Sequence, residues 1–350
     1  MYSISFVGGY DENYPRNNVI IEGCQAHNIA LSHIKIKQTS PFKRKLLLRK
    51  VLRKRKIETD FVLVPAFCHH EVSVVKKYTD RPIIFDPLIS RYLTKIHDYK
   101  SAHILSIHAL INFLVDKRSL EQSDYIFADT IAHKEYFCRK YKINSDKVYP
   151  LYIGYNSNHF FPVDHKREDI IKIGFYGGFN PLQGVDKIIA AADILRNHKN
   201  IRFELVGDGY TYEKVTEKAK SLSLPNVSFL GRKDYYELNR YIGNWDICLG
   251  IFGNTLKSDL VIPNKVFHYA GCRKPIITKN SPAIKEIFKD NESIFLIDPA
   301  PQSLANKILD LVDNYSICES AAQKGYNLIL SKYSHIQIGE NIKILLKKWK

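Results

Sequence analysis

The 350-residue chain is 45% hydrophobic and 25% charged, with no low-complexity tract, which excludes a disordered or fibrous protein. That length exceeds the size at which a single core keeps growing, so two domains are expected. A formal net charge of +16, from 52 Lys and Arg against 36 Asp and Glu, points to nucleic acid, acidic lipid or an anionic substrate. No apolar run approaches the roughly 18 residues that cross a bilayer. Six cysteines without CxxC spacing, and the lack of a secretory signal, suggest reduced core residues of a cytoplasmic protein.

Residues 2–8 (YSISFVG) alternate into a strand that breaks at Gly8-Gly9, and Tyr14-Pro15 leads into a helix bearing Val19, Ile20 and Gly23. Gly8 and Gly9 are candidates for close ligand approach, although a plain tight turn fits them equally. Arg16 and Asn17 are candidates to border an acceptor or a phosphate. From Ser40 to Lys56 nine basic residues surround Leu47, Leu48, Val51 and Leu52, with Ser40 suited to an N-cap and Pro41 to the first helical turn. Such a basic amphipathic helix suggests that residues 41–56 contact an anionic membrane surface; the alternative is a solvated helix with inward leucines. Phe61–Pro65 and Pro82–Asp86 read as buried parallel strands. Asp86, at the second strand's end and held by Pro87, is a candidate to orient or deprotonate an acceptor hydroxyl. A helix over 101–120, a strand over 124–128, a helix over 130–141 and a strand over 148–153 complete the first half.

Residues 154–169 are polar and lack periodicity, which marks a linker. Strand and helix alternation then restarts with Ile170–Tyr176, a loop of Gly177, Gly178 and Gly184, and a helix with Val185, Ile188, Ile189, Ala192 and Leu195 on one face. Further strands are expected at 203–206, 227–230, 247–252, 275–278 and 294–297, and a final helix at 335–349 ends in a basic tail. The stretch 250–286 carries Lys257 on a loop and Lys265 one residue past the Pro263-Asn264 break that starts a helix. Two cations beside exposed helix N–H groups read as one wall of a phosphate-binding cleft. A cleft between two doubly wound domains would seat a nucleotide-bearing substrate.

These residues resemble the retaining glycosyltransferases of family four, in their bacterial surface-polysaccharide branch. FYGGFNPLQGVDKIIAAADIL is similar to that family's donor-diphosphate loop and helix, and FELVGDG and VSFLGRKDYYELNRYIGNWDICLGIF to its nucleotide-binding segment. IPNKVFHYAGCRKPIITKNSPAIKEIF is similar to its donor-sugar segment, and YIGYNSNHFFP to its hinge. FVGGYDENYPRN, FVLVPAF and PIIFDPLIS match the first domain more loosely. The resemblance implies an α/β GT-B fold: two Rossmann-like domains facing a central cleft, with a C-terminal helix packing back towards the first. It divides the chain into an acceptor domain (1–155), a linker (156–169), a donor domain (170–330) and a crossover helix (331–350).

The resemblance also assigns the site. Gly8, Gly9, Arg16, Gly177, Gly178, Gln183, Gly184, Lys257 and Lys265 would address the donor phosphates. Gly207, Arg232, Lys233, Ser281, Ala283 and Glu286 would address the nucleoside, and Asp86, His268 and Lys265 would serve the chemistry. Positions that carry an arginine and a lysine in that family fall on Gly178 and Gln183; its two glutamates fall on Leu260 and His268, and its first-domain histidine on Asp86. The expected reaction moves a sugar from a nucleotide diphosphate sugar to a glycan or lipid-linked acceptor with retention, on the inner face of a membrane. The departing phosphate would assist acceptor deprotonation. No metal, no cofactor beyond the nucleotide sugar as co-substrate, and no nucleic-acid partner are expected. Relocated charges, a different branch or lost activity each account for the missing glutamates. A nucleotide-sugar epimerase and a catalytically silent binding protein also remain open.

Overall fold

The computed structural model describes residues 2–164, 166 and 168–350. The chain forms two compact units: one runs to Asn156 and takes in Tyr333–Lys350, and the other is Ser157–Lys332.

The first unit is a six-stranded parallel sheet in the order β2-β1-β3-β4-β5-β6. Its elements are β1 (Ser3–Gly8), α1 (Pro15–Ala26), β2 (Ala30–Lys35), α2 (Pro41–Leu52), β3 (Phe61–Val64), α3 (His69–Val75), β4 (Ile83–Phe85), α4 (Ile107–Gln122), β5 (Tyr125–Ala128), α5 (Ile131–Tyr141) and β6 (Val148–Pro150). Every residue of β3 and β4 is buried, which is why both read as short apolar runs without alternation. Edge strand β2 has no such signature, because in ALSHIK only Ile34 is buried. Its register comes from pairing along the whole of β1, Ser3 opposite Ala30 through Gly8 opposite Lys35.

The second unit holds β7 (Ile171–Tyr176), α6 (Val185–Ile194), β8 (Ile201–Val206), α7 (Tyr212–Ser221), β9 (Val227–Gly231), α8 (Leu238–Gly243), β10 (Ile247–Leu249), α9 (Leu256–Leu260), α10 (Asn264–Gly271), β11 (Ile276–Lys279), β12 (Phe295–Ile297), α11 (Pro301–Asp313) and α12 (Tyr315–Tyr333). The sheet order β12-β11-β10-β7-β8-β9 is doubly wound: the chain moves outward from β7 to one edge, then returns to the other side of β7. All five apolar residues expected on the α6 face are buried in this unit's core. Gly174 lets Trp245 lie against the β7 backbone, since a Cβ there would sit 1.8 Å from the indole.

Part of the expected linker is not a linker. Phe160 is buried in the second unit and the Phe161 N–H donates to Asn239 Oδ1 at 3.1 Å; residues 165 and 167 lie outside those described. The chain re-enters the first unit where Tyr155 and Tyr333 meet, the Tyr155 N–H donating to the Tyr333 carbonyl at 3.0 Å. Helix α13 (His335–Trp349) then packs on α1. Their contact runs through two glycines, for a Cβ on Gly339 would lie 2.0 Å from the Gly23 carbonyl oxygen. The basic tail is anchored rather than free: Trp349 stacks on Tyr125 at 3.9 Å and Lys350 pairs with Asp60 at 3.2 Å. Gly339→Ala should therefore overpack the α1–α13 seam and cost about 1–3 kcal/mol in chemical denaturation; a midpoint equal to the parent's would contradict this.

Candidate functional site

The turn of sheet order in the second unit falls between β7 and β10, where two loops leave neighbouring strands in opposite directions and open a crevice. The loops are stitched together by backbone: the Phe252 N–H donates to the Gln183 carbonyl at 3.0 Å and the Gly253 N–H to the Leu182 carbonyl at 3.1 Å. Gly184 makes the approach possible. Its φ is +64°, and a Cβ would stand 2.6 Å from the Phe252 carbonyl carbon.

Lys265, in the first turn of α10, reaches across this crevice. Its Nζ donates to Gln183 Oε1, sits 3.6 Å from the Phe175 ring centroid, and lies 2.7 Å from where a Cβ on Gly177 would be. Burial holds its amine well below the ordinary lysine range. Position adds to this, because a cation in the first turn opposes the helix dipole. The expected residues Lys265, Gln183, Gly177 and Gly184 are thus brought together, but as a desolvated amine on an amide rather than an exposed cation.

One helical turn further, His268 is fully buried, with its Nδ1 2.5 Å from the Tyr176 hydroxyl and its ring stacked on Phe160 at 3.7 Å. Burial pushes its pKa down to about 3, so the imidazole is neutral, and its Nε2 has no hydrogen-bond partner. Nothing in the sequence ties Phe160 or Tyr176 to His268, since the three lie on a loop, a strand end and a helix.

Beside the crevice, at the carboxyl ends of β7, β8 and β9, opens a cleft of about 400 Å³. It is lined by Tyr176, Gly177, Gly178, Gly207, Arg232 and Lys233 among others. Five of these six were expected at the site. The turns after β7 and β8 touch, since a Cβ on Gly207 would meet the Gly177 carbonyl oxygen at 1.9 Å. On the other side, Lys279 Nζ contacts Asp259 Oδ1 at 2.7 Å and donates to Ser258 Oγ at 2.8 Å, and Ser258 Oγ donates to the Gly253 carbonyl at 2.8 Å. This latch fixes the loop and short helix that carry the buried Lys257. Ser281 and Ala283 lie after β11, where the Ser281 hydroxyl accepts from the Ile284 N–H and the Ala283 N–H donates to the Asp259 carbonyl. Glu286 closes the following 3-10 turn.

The first-unit candidates have structural tasks instead. Asp86 and Arg16 are both fully buried and face each other, Arg16 Nε donating to Asp86 Oδ2 at 2.8 Å and Nη2 to Oδ1 at 3.3 Å. The other terminal nitrogen of Arg16 donates to the Leu151 and Tyr152 carbonyls at 2.8 Å each. The pair ties α1 to the ends of β4 and β6, so neither side chain is presented to an acceptor or a phosphate. Burial pushes the Asp86 carboxyl up while the Arg16 guanidinium opposes it. The Gly8-Gly9 turn is occupied as well. A Cβ on Gly8 would lie 2.8 Å from Cys68 Sγ and one on Gly9 2.7 Å from Arg44 Cδ, and Arg44 pairs with Glu71 at 3.0 Å.

Among the described residues no group of His, Cys, Asp or Glu is arranged to hold a metal ion, and no helix is long and apolar enough to cross a membrane. Among the described residues no disulfide forms, and five of the six cysteines are buried.

Residues 157–328 match the profile of the family described as "Glycosyl transferases group 1". An uncharacterized glycosyltransferase of Methanocaldococcus jannaschii is 26% identical over 239 residues, 64% of this chain and 62% of that protein, so the match leaves over a third of the relative uncovered. Among solved structures, a sucrose-phosphate synthase from Thermosynechococcus elongatus superposes with a TM-score of 0.80 at 14% identity, covering 100% of this chain and 99% of that one. Anabaena HepE, in complex with UDP and glucose, superposes with a TM-score of 0.76 at 14% identity, covering 99% and 100%. These likenesses show the GT-B fold.

Two outcomes test the geometry. Arg16→Met should cost about 3–5 kcal/mol by stranding a buried carboxylate, and Arg16→Met with Asp86→Leu should recover much of it; equal loss in both would refute the pairing. Lys265 holds its proton less readily when folded, so the unfolded chain binds more protons between its folded pKa and the ordinary lysine value. Stability therefore climbs with pH across that interval. Lys265→Met should be more stable than the parent at neutral pH, with the gap closing as pH rises towards the ordinary lysine range; a gap constant with pH would contradict the lowered pKa of the buried amine.

Proposed function

We propose that this chain, whose residues 157–328 form a group 1 glycosyl transferase domain, moves a sugar from a nucleoside diphosphate donor to an acceptor hydroxyl. The observation that carries the reading is the crevice at the turn of sheet order. There a glycine-edged loop, the Gln183 amide and the Lys265 amine meet beside a cleft bordered by Arg232 and Lys233. Backbone N–H groups and an amine whose protonated form an anion would stabilise suit a pyrophosphate. The UDP and glucose carried by the Anabaena relative support a uridine diphosphate sugar as the donor.

In this reading the bond between the anomeric carbon and the diphosphate oxygen breaks as the acceptor oxygen attacks from the same face, and retention follows. The acceptor's proton passes to the departing phosphate. Lys265 and the latched loop bearing Lys257 stabilise the negative charge left on the diphosphate. His268 Nε2, buried without a partner, binds a hydroxyl of the donor sugar. The acceptor is a glycan or a lipid-linked glycan in surface-polysaccharide synthesis, a choice supported by the resemblance noted from the sequence.

The experiment is thermal unfolding with UDP, other nucleoside diphosphates and oligonucleotides, followed by a hydrolysis screen of nucleotide sugars. One diphosphate should raise the melting temperature while oligonucleotides leave it unchanged. Lys265→Met should weaken that diphosphate by about 10–100-fold, the effect of losing a hydrogen bond to a charged group. His268→Ala should lower turnover more than binding. Binding without turnover of any nucleotide sugar would reduce the chain to a binding protein, and stabilisation by oligonucleotides alone would overturn the reading.

A further inference from the structure

Helix α4 of the first unit is amphipathic in the reverse sense. Its buried side carries Asn112, Asp116 and Ser119 beside Ala109 and Leu120. Asp116 accepts from the Ser90 and Tyr141 hydroxyls at 2.8 Å each and from the Arg91 and Tyr92 N–H groups. With polar groups holding the helix in place, the apolar stripe falls on the outside. Ile107, Leu110, Ile111 and Leu114, spaced i, i+3, i+4 and i+7, are 48–68% exposed. That spacing ordinarily faces a core, and a contiguous apolar patch left in solvent marks an interaction surface.

Cations stand next to it. Lys45 and Arg49 of α2, Lys77 just past α3, and Ile111, Leu114 and Arg118 of α4 share one groove of about 320 Å³. No carboxylate lines that groove among the described residues. The nearby acids are engaged elsewhere, Glu71 with Arg44 and Asp116 in its own network. Burial, with smaller contributions from Arg91 and Lys45, holds the His70 imidazole on the groove wall down to about 3. Helix α2, which gives Lys45 and Arg49 to the groove, also exposes Phe42 at 72% and Leu46 at 48%. The sequence alone places the apolar face of α2 on Leu47, Leu48, Val51 and Leu52, but Leu48 and Leu52 are buried beneath the helix and Arg44 turns inward with them.

We propose that the α2–α3–α4 face of the first unit docks on an anionic phospholipid bilayer. The α4 stripe with Phe42 and Leu46 enters the acyl boundary, and Lys45, Arg49, Lys77 and Arg118 rest on headgroup phosphates. Charge complementarity selects an anionic partner. The aliphatic ridge selects lipid over nucleic acid, whose bases stack on aromatic platforms, because apolar insertion beside basic side chains is what an acidic lipid interface rewards. The surface lies within the first unit and does not depend on the transfer reaction.

The test is flotation of the full chain with vesicles of phosphatidylcholine alone and of phosphatidylcholine with about one third phosphatidylglycerol. The protein should float with the anionic vesicles and remain below with the neutral ones. Ile111→Ser with Leu114→Ser, and separately Lys45→Glu with Arg49→Glu, should each lower partitioning at least about tenfold. Ile107→Ser with Leu110→Ser provides a second apolar pair should the first not fold. Retained stabilisation by UDP in the variants separates a failed membrane surface from a failed donor site. The proposal is overturned if the parent does not float, as an acidic protein partner would predict, if it floats equally on neutral vesicles, or if either class of folded variant floats like the parent.

Discussion

A lysine amine kept out of water by its own fold is the constraint on which the second unit's site depends. Lys265 rests on the Phe175 ring and donates to a single amide oxygen, with Gly177 bare beneath it. An amine so placed holds its proton less readily than one in water, and a negative charge nearby would offset that cost. The neighbouring glycines follow from the same need, for Gly177, Gly184 and Gly207 each stand where a Cβ would strike a neighbouring loop or the lysine itself.

The two units treat the carboxyl ends of their parallel sheets differently. In the second, the carboxyl end of the sheet is left with a cleft, an unpartnered His268 nitrogen and a buried amine. In the first, the corresponding end is filled from within: Arg44 covers the Gly8-Gly9 turn, and Arg16 and Asp86 neutralise each other in the interior. Its unsatisfied surface lies instead on the outer helices, where α4 holds its polar face inward and its aliphatic face in solvent.

Much of this was legible in the sequence, for reasons that vary by element. The buried strands β3 and β4 declare themselves because every residue in them is apolar and buried, and α6 because its one apolar face enters the second unit's core. Edge strand β2 does not, since an edge position asks for little burial and its identity comes from β1. At the site, Lys265, Gln183 and Gly177 were visible as residues in a strand–loop–helix frame, but the sign of their electrostatics was not. Whether a lysine is solvated or desolvated depends on the Phe175 ring that lies above it in space, not on its neighbours in the chain. The Phe160–His268–Tyr176 stack and the Lys279 latch were hidden for the same reason. Asp86 and Arg16 misled because a carboxylate before proline and an arginine after a glycine turn look alike whether they face a ligand or each other.

The most direct measurement is calorimetry of UDP binding, from neutral pH up to the ordinary lysine range, in two buffers of different ionisation enthalpy, for the parent and for Lys265→Met. The account predicts net proton uptake by the parent beyond any shown by the variant, with tighter binding by the parent. Binding of UDP with the same proton balance and affinity in both proteins would contradict it.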